Sequence, residues 1–96
     1  MKEVNVGSVV YSKSGRDKGR YYVVVDVDNE DKEYIYIADG CLRKVTSPKR
    51  KKKKHISAKP FMAEEDIRIK IETKKVSDSD IRKSLKALGY EVSKED

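Results

Sequence analysis

The sequence predicts a mainly β protein: a small five-stranded antiparallel barrel followed by a C-terminal helical extension. Two observations carry this prediction. Short runs rich in Val, Ile and Tyr alternate with Gly- and Asp-containing turns in the first part of the chain, and the apolar pattern becomes helical towards the end. Five short strands joined by tight turns within about 60 residues are typical of small barrels. The 96 residues are therefore expected to form a barrel over 1–60 and an extension over 61–96.

Five strands are predicted from runs of β-branched and aromatic residues that are bounded by turn residues. In chain order they are Gly7 to Ser12, Arg20 to Val27, Tyr34 to Ala38, Leu42 to Val45 and a short strand around His55 to Ala58. The dipeptide Asp39-Gly40 indicates a tight hairpin before the fourth strand. Tyr21 and Tyr22 are expected on opposite faces, and most of the tyrosines are expected to pack in the core rather than form a stacking platform.

The extension changes to a helical pattern. A helix is predicted near residues 77–89, where Ser77 and Asp80 resemble a capping box and Gly89 is suited to end the helix. This helix could dock a partner or pack on the barrel, and the sequence leaves both open. The stretch Glu64 to Lys75 is also open between helix and strand, because its isoleucines alternate whereas its charged residues favour a helix.

The charge is distributed unevenly along the chain. The formal net charge is +6 and the pI is about 9.4. Residues 1–60 hold 15 Lys and Arg against 8 Asp and Glu, a net of +7, whereas residues 61–96 hold 8 against 9. Such a balance indicates an anionic partner, which by charge alone could be nucleic acid, a membrane surface or an acidic protein. The acidic turn Asp28 to Glu33 is expected to be solvated rather than to bind a cation.

The sequence shows none of the usual signs of an enzyme or a metal protein. It has no carboxylate pair in an apolar setting, no nucleophile with a nearby histidine and no metal-ligand spacing, so no catalysis and no cofactor are expected. The single cysteine, Cys41, fits a reducing compartment, and no apolar run is long enough to span a bilayer. A cytoplasmic monomer that does not contact membranes is therefore expected.

One segment of the chain resembles a known motif. Gly7 to Arg20, with the sequence GSVVYSKSGRDKGR, followed by valines, resembles the KOW motif of SH3-like barrels in ribosomal proteins and transcription elongation factors. Further pieces match in order: Gly15 to Arg20, Val24 to Val27, Ile35 to Gly40, Arg43-Lys44 and His55-Ile56. Together they resemble the large-subunit ribosomal protein 14e family of archaea and eukaryotes over residues 4–58.

The resemblance implies an SH3-like (KOW) barrel that binds RNA. Two features have no counterpart in the family pattern, namely the uninterrupted tract Lys51 to Lys54 and residues 61–96. These departures are consistent with a bacterial relative of the family rather than a standard ribosomal subunit.

Candidate RNA-binding residues lie in the glycine loop and in the basic segment that follows the predicted fourth strand. They are Lys13, Arg16, Lys18, Arg20, Arg43, Lys44, Lys49, Arg50, Lys51, Lys52, Lys53, Lys54 and His55. Gly15 and Gly19 are expected to shape the loop, either through positive φ angles or through close approach to phosphates. His55 either contacts RNA or packs beside Ile56.

These features predict an RNA-binding module, ribosome-associated, that holds structured RNA through its backbone phosphates. The RNA is expected to be ribosomal, and ribosomal proteins or RNA polymerase are the possible protein partners. The alternative is a protein-interaction module of the transcription machinery, as the KOW barrels of elongation factors suggest. Binding to RNA polymerase without affinity for free RNA would favour that alternative.

Overall fold

The computed structural model describes residues 4–15 and 18–90, except for the side chains of Pro60 and Phe61. Its strands are β1 Ser8–Ser12, β2 Tyr21–Val27, β3 Tyr34–Ala38, β4 Lys49–Lys52 and β5 Ile56–Met62, and its helices are α1 Glu65–Glu72 and α2 Asp78–Ala87. A single 3-10 turn, Lys53–His55, joins β4 to β5. The strands form one antiparallel sheet in the order β4-β3-β2-β1-β5. The predicted class, a mainly β fold with a small five-stranded barrel and a helical appendage, is confirmed.

The sheet curls because alternating apolar side chains fill its concave side and two register irregularities bend it. The irregularities lie between β1 and β5 and between β2 and β3. The concave side holds the interior cluster: Val10, Tyr22, Val24, Ile35, Ile37 and Ile56. Residues adjacent to these along the strands, such as Val9 and Val23, point to the convex side. Tyr21 and Tyr22 therefore lie on opposite faces, as the sequence predicts.

The two helices cover one part of the convex side. Ile67 and Ile71, four residues apart, bury one face of α1, whereas Ile69 between them is 51% exposed. The sequence left Glu64 to Lys75 between helix and strand, and the structure forms a helix there, over Glu65–Glu72. Ile81 and Leu85 of α2 join the same cluster, which also contains Val9 and Val23 of the sheet. The extension thus shares a core with the barrel, and α2 packs on the sheet.

The start and end of α2 follow from local chemistry. The side chain of Ser77 accepts a hydrogen bond from the Asp80 amide, and the Asp80 carboxylate accepts one from the Ser77 amide. This reciprocal pair is the predicted capping box. Gly89 has a φ of +88°, so it supplies the left-handed residue that ends the helix. None of the helices in the described ranges is long and apolar enough to cross a bilayer.

The predicted fourth strand, Leu42 to Val45, is wrong. The segment lies in an irregular loop, and the fourth strand begins later, at Lys49. The Asp39 carboxylate accepts hydrogen bonds from the amides of Cys41 and Arg43, both at 2.9 Å, so the chain turns without a tight hairpin. The loop is then tied to α2, because the Val45 amide donates to the Asp78 carboxylate at 2.8 Å.

Candidate nucleic-acid interface

Strand β4 consists entirely of basic residues. Its four residues pair with β3 at the edge of the sheet, in the register Tyr34↔Lys52, Ile35↔Lys51, Tyr36↔Arg50 and Ile37↔Lys49. Lysine is common on edge strands because its charge discourages pairing with further chains. The alternation of the strand places Arg50 and Lys52 on the same side as the tyrosines of β3. The first four residues of the basic run therefore form a paired strand of the sheet.

Lys51 points the other way and is only 7% exposed. Its ammonium group donates a hydrogen bond to the carbonyl oxygen of Ser14 at 2.9 Å. The same ammonium lies 3.3 Å from where a Cβ at Gly15 would stand. The glycine at this position lets the loop approach the lysine closely. Lys51 thus supports the glycine loop and has little surface for RNA.

The acidic turn after β2 is organised around Asp28. One oxygen of its carboxylate accepts the amides of Glu30 and Asp31 at 2.9 and 3.0 Å, and the other accepts the Arg50 Nε at 3.1 Å. The two backbone hydrogen bonds, followed by Arg50, hold the pKa of the Asp28 carboxyl below its usual range. Asp28 also raises the pKa of the Arg50 guanidinium, chiefly through their hydrogen bond. The turn is therefore a structured partner of β4.

Two further contacts offset the charge of β4. The Arg50 guanidinium carbon lies 3.6 Å from the centroid of the Tyr34 ring, within the range of cation–π contacts. The Lys52 ammonium lies 3.5 Å from a carboxylate oxygen of Glu33. These groups are partly exposed, so each pair contributes little stability by itself. Their main effect is to fix where the basic side chains point.

An open groove of about 980 Å³ lies at the mouth of the barrel. Four lysines line it: Lys13, Lys32, Lys53 and Lys54. Apolar side chains of the barrel mouth are also part of the lining, namely Val4, Val27, Ile56 and Ala58. Among the described residues of the lining, Asp28 supplies the single carboxylate, and Arg50 already pairs with it. The groove therefore combines excess positive charge with an apolar surface.

Backbone hydrogen bonds connect the segments that carry these lysines. The Lys13 amide donates to the carbonyl of His55 at 2.9 Å, which ties the end of β1 to the 3-10 turn. The Lys53 amide donates to the carbonyl of Glu33 at 2.7 Å, which ties that turn to the β2–β3 turn. Lys32 belongs to this last turn. The lysines of the groove thus stand on segments that are held together.

The other predicted residues are spread around the barrel. Lys18, Lys44 and Lys49 lie outside the lining of the groove, as do Arg20 and Arg43, and Arg16 lies outside the described residues. His55 is half-buried and contributes its carbonyl oxygen to the fold. Gly15 and Gly19 have φ angles of +80° and +88°, so both supply the left-handed conformation expected of the loop.

The tyrosines divide between core and surface. Tyr22 is fully buried, but Tyr11 and Tyr21 are half-buried on the convex side, with ring centroids 5.1 Å apart. Tyr90, just after α2, stacks on Tyr21 at 4.3 Å, and the Lys59 ammonium lies 5.1 Å from the Tyr11 centroid. The expected core packing thus holds fully for Tyr22 and only partly for Tyr11 and Tyr21, whereas Tyr34 and Tyr36 lie on the outward side of β3.

Sequence reasoning missed Lys32 and the pairing of Arg50 with Asp28. Acids surround Lys32 in the chain and hide its charge in the sequence, yet the turn places it in the lining of the groove. The Arg50 contact joins residues 22 positions apart, and only the register of β3 with β4 reveals it. In the described part of the chain, no cluster of three or more His, Cys, Asp or Glu side chains is suited to a metal ion.

Comparison with protein families finds none that matches this chain, and comparison with curated proteins finds no similar one. The resemblance of residues 4–58 to the ribosomal 14e family therefore stays a prediction.

Asp28→Asn should destabilise the protein in a pH-dependent way. Because the pKa of Asp28 is lowered on folding, its carboxylate stabilises the fold above the ordinary aspartate pKa of about 3.9, and that contribution is lost as the pH falls through the lower folded value. The free energy of unfolding of the variant should lie below that of the wild type at about pH 7, and the gap should narrow below about pH 4. Urea denaturation measures this gap.

Glu30→Gln is the matched control, because Glu30 is an exposed acid in the same turn. At neutral pH the free energy of unfolding of Glu30→Gln should lie closer to that of the wild type than the free energy of unfolding of Asp28→Asn does. A gap for Asp28→Asn that stays constant over the acid range would show that the charge of Asp28 does not organise the turn.

Proposed function

We propose that the protein is an RNA-binding module that holds the sugar–phosphate backbone of a structured RNA in the lysine-lined groove. The observation that carries this proposal is the convergence of Lys13, Lys32, Lys53 and Lys54 on one open groove. Lysines neutralise phosphates and release their counterions, which supplies affinity without reading base identity. Recognition then depends on the shape of the RNA.

The arrangement of the lysines supports a backbone ligand. The hydrogen bonds of Lys13 with His55 and of Lys53 with Glu33 hold the segments in place before RNA binds. Less conformational entropy is therefore lost on binding than if the lysines lay on a flexible tail. The apolar lining would suit the sugar and base edges of a nucleotide, which a purely charged surface would not.

The resemblance of residues 4–58 to the ribosomal 14e family supports RNA as the anion and the ribosome as its location. The net charge of +7 over residues 1–60 favours the same class of partner. The extension, with 8 basic against 9 acidic residues, adds no net attraction for RNA. Its role in this proposal is to complete the core of the fold.

The salt dependence of RNA binding tests the groove. Each phosphate contact contributes about 0.7 to the magnitude of the slope of log K against log salt on a single strand, so the variant Lys53→Gln/Lys54→Gln should reduce that magnitude by about 1.4. The control is Lys83→Gln/Lys86→Gln, which removes the same charge from exposed positions of α2. Fluorescence anisotropy with a labelled RNA at several salt concentrations measures both slopes.

The control variant should keep a slope close to that of the wild type. If both double variants reduced the salt slope equally, RNA binding would depend only on the net charge of the protein and not on the groove. A wild-type affinity that does not change with salt would contradict phosphate binding altogether.

Association with the ribosome has its own test. In sucrose gradients of cell lysate at low salt, the wild-type protein should sediment with the large ribosomal subunit, and Lys53→Gln/Lys54→Gln should shift towards the top. Immunoblotting of the fractions measures the distribution. A wild-type protein that stays at the top in low salt would contradict ribosome association, and its co-purification with RNA polymerase would favour the transcription alternative.

A further inference from the structure

The convex side of β3 and β4 is a second surface beside the groove. Ile35 and Ile37 fill the barrel interior, so Tyr34 and Tyr36 face outwards. The helices pack on Val9 and Val23 of the neighbouring strands. The side chains of Arg50 and Lys52, which share the outward side with these tyrosines, are 45% and 32% exposed. Solvent therefore reaches this face.

On this face Arg50 is held in a fixed place. Its guanidinium carbon lies 3.6 Å from the centroid of Tyr34, a separation at which planar groups are in stacking contact. Its Nε donates to Asp28 at 3.1 Å, and Asp28 is itself fixed by two backbone amides of the turn. One side of the guanidinium rests on the ring, and the exposed remainder is available to a ligand. The group is thus oriented before any ligand arrives.

The charges on this face are balanced. Arg50 pairs with Asp28, and Lys52 pairs with Glu33. The face therefore has no excess of positive charge with which to attract phosphates, in contrast to the groove. What distinguishes it is a planar cation stacked on an aromatic ring. Unpaired RNA bases stack on such arginine planes and on aromatic side chains, largely regardless of sequence.

We propose that the Arg50–Tyr34 pair stacks with an unpaired base of the RNA whose backbone lies in the groove. This inference rests on the proposed function and names the class of RNA that the site takes: a loop, a bulge or a single strand. Tyr34 and Asp28 also line the groove, so the stacking surface adjoins the bound backbone. A nucleotide next to the groove can turn its base onto Arg50 without leaving the lysines.

The experiment uses a short hairpin RNA that carries 2-aminopurine in its loop, because the fluorescence of this base is quenched when it stacks. Wild-type protein should quench the fluorescence on binding. Arg50→Lys keeps the charge but removes the planar guanidinium, so the quenching should be lost and the affinity should fall about tenfold. Lys54→Gln is the matched control, since it should weaken binding and preserve the quenching at saturation.

A measurement on the wild type covers the case in which Arg50→Lys fails to fold. The wild type should bind the hairpin with an unpaired loop about tenfold more tightly than an uninterrupted duplex with the same number of phosphates. Equal affinities, or quenching by Arg50→Lys equal to that of the wild type, would overturn the stacking proposal and leave phosphate binding intact. If the wild type binds neither RNA, both the stacking proposal and the proposed function are overturned.

Discussion

The repulsion among six consecutive basic residues, Lys49 to Lys54, is the constraint on which the rest of the structure depends. Like charges at this density favour a solvated chain unless other interactions offset them. Here pairing with β3 fixes the first four residues as a strand. Asp28 and Glu33 offset two of the charges, and the carbonyl of Ser14 accepts a hydrogen bond from the buried Lys51. The edge of the sheet is thereby formed by a strand that its own composition disfavours.

The pairing of the outward basic residues of β4 with acids also distinguishes two surfaces of the barrel. Along β4 the outward charges are paired with acids, whereas the 3-10 turn that follows carries Lys53 and Lys54 to the groove. There they join Lys13 and Lys32, and Asp28 is already engaged with Arg50. Positive charge is therefore concentrated in a concave site, and the neighbouring convex face offers a stacked arginine. Under the proposed function, an RNA backbone in the groove and a base on the convex face would lie on one continuous path.

The sequence predicts those parts of the fold that depend on local patterns. The valine and tyrosine runs of β1 to β3 and the capping box of α2 lie where expected. Strand β4 was not predictable, because lysines have low β propensity and the strand forms only through its pairing with β3. In the site, Lys13, Lys53 and Lys54 were predicted from charge. Lys32 and the internal pairing of Arg50 depend on how the turn folds over the sheet, which composition does not encode.

RNA binding in the lysine-lined groove is tested most directly by an NMR titration of the isotope-labelled protein with a short RNA. Such a titration reports binding for each backbone amide separately. Binding in the groove should shift the amides of Lys13, Lys32, Lys53 and Lys54 most strongly, because these lysines line it. The exposed positions of α2, such as Lys83 and Lys86, should change little. Shifts concentrated on α2, or small shifts spread evenly over all basic residues, would contradict a site at the mouth of the barrel.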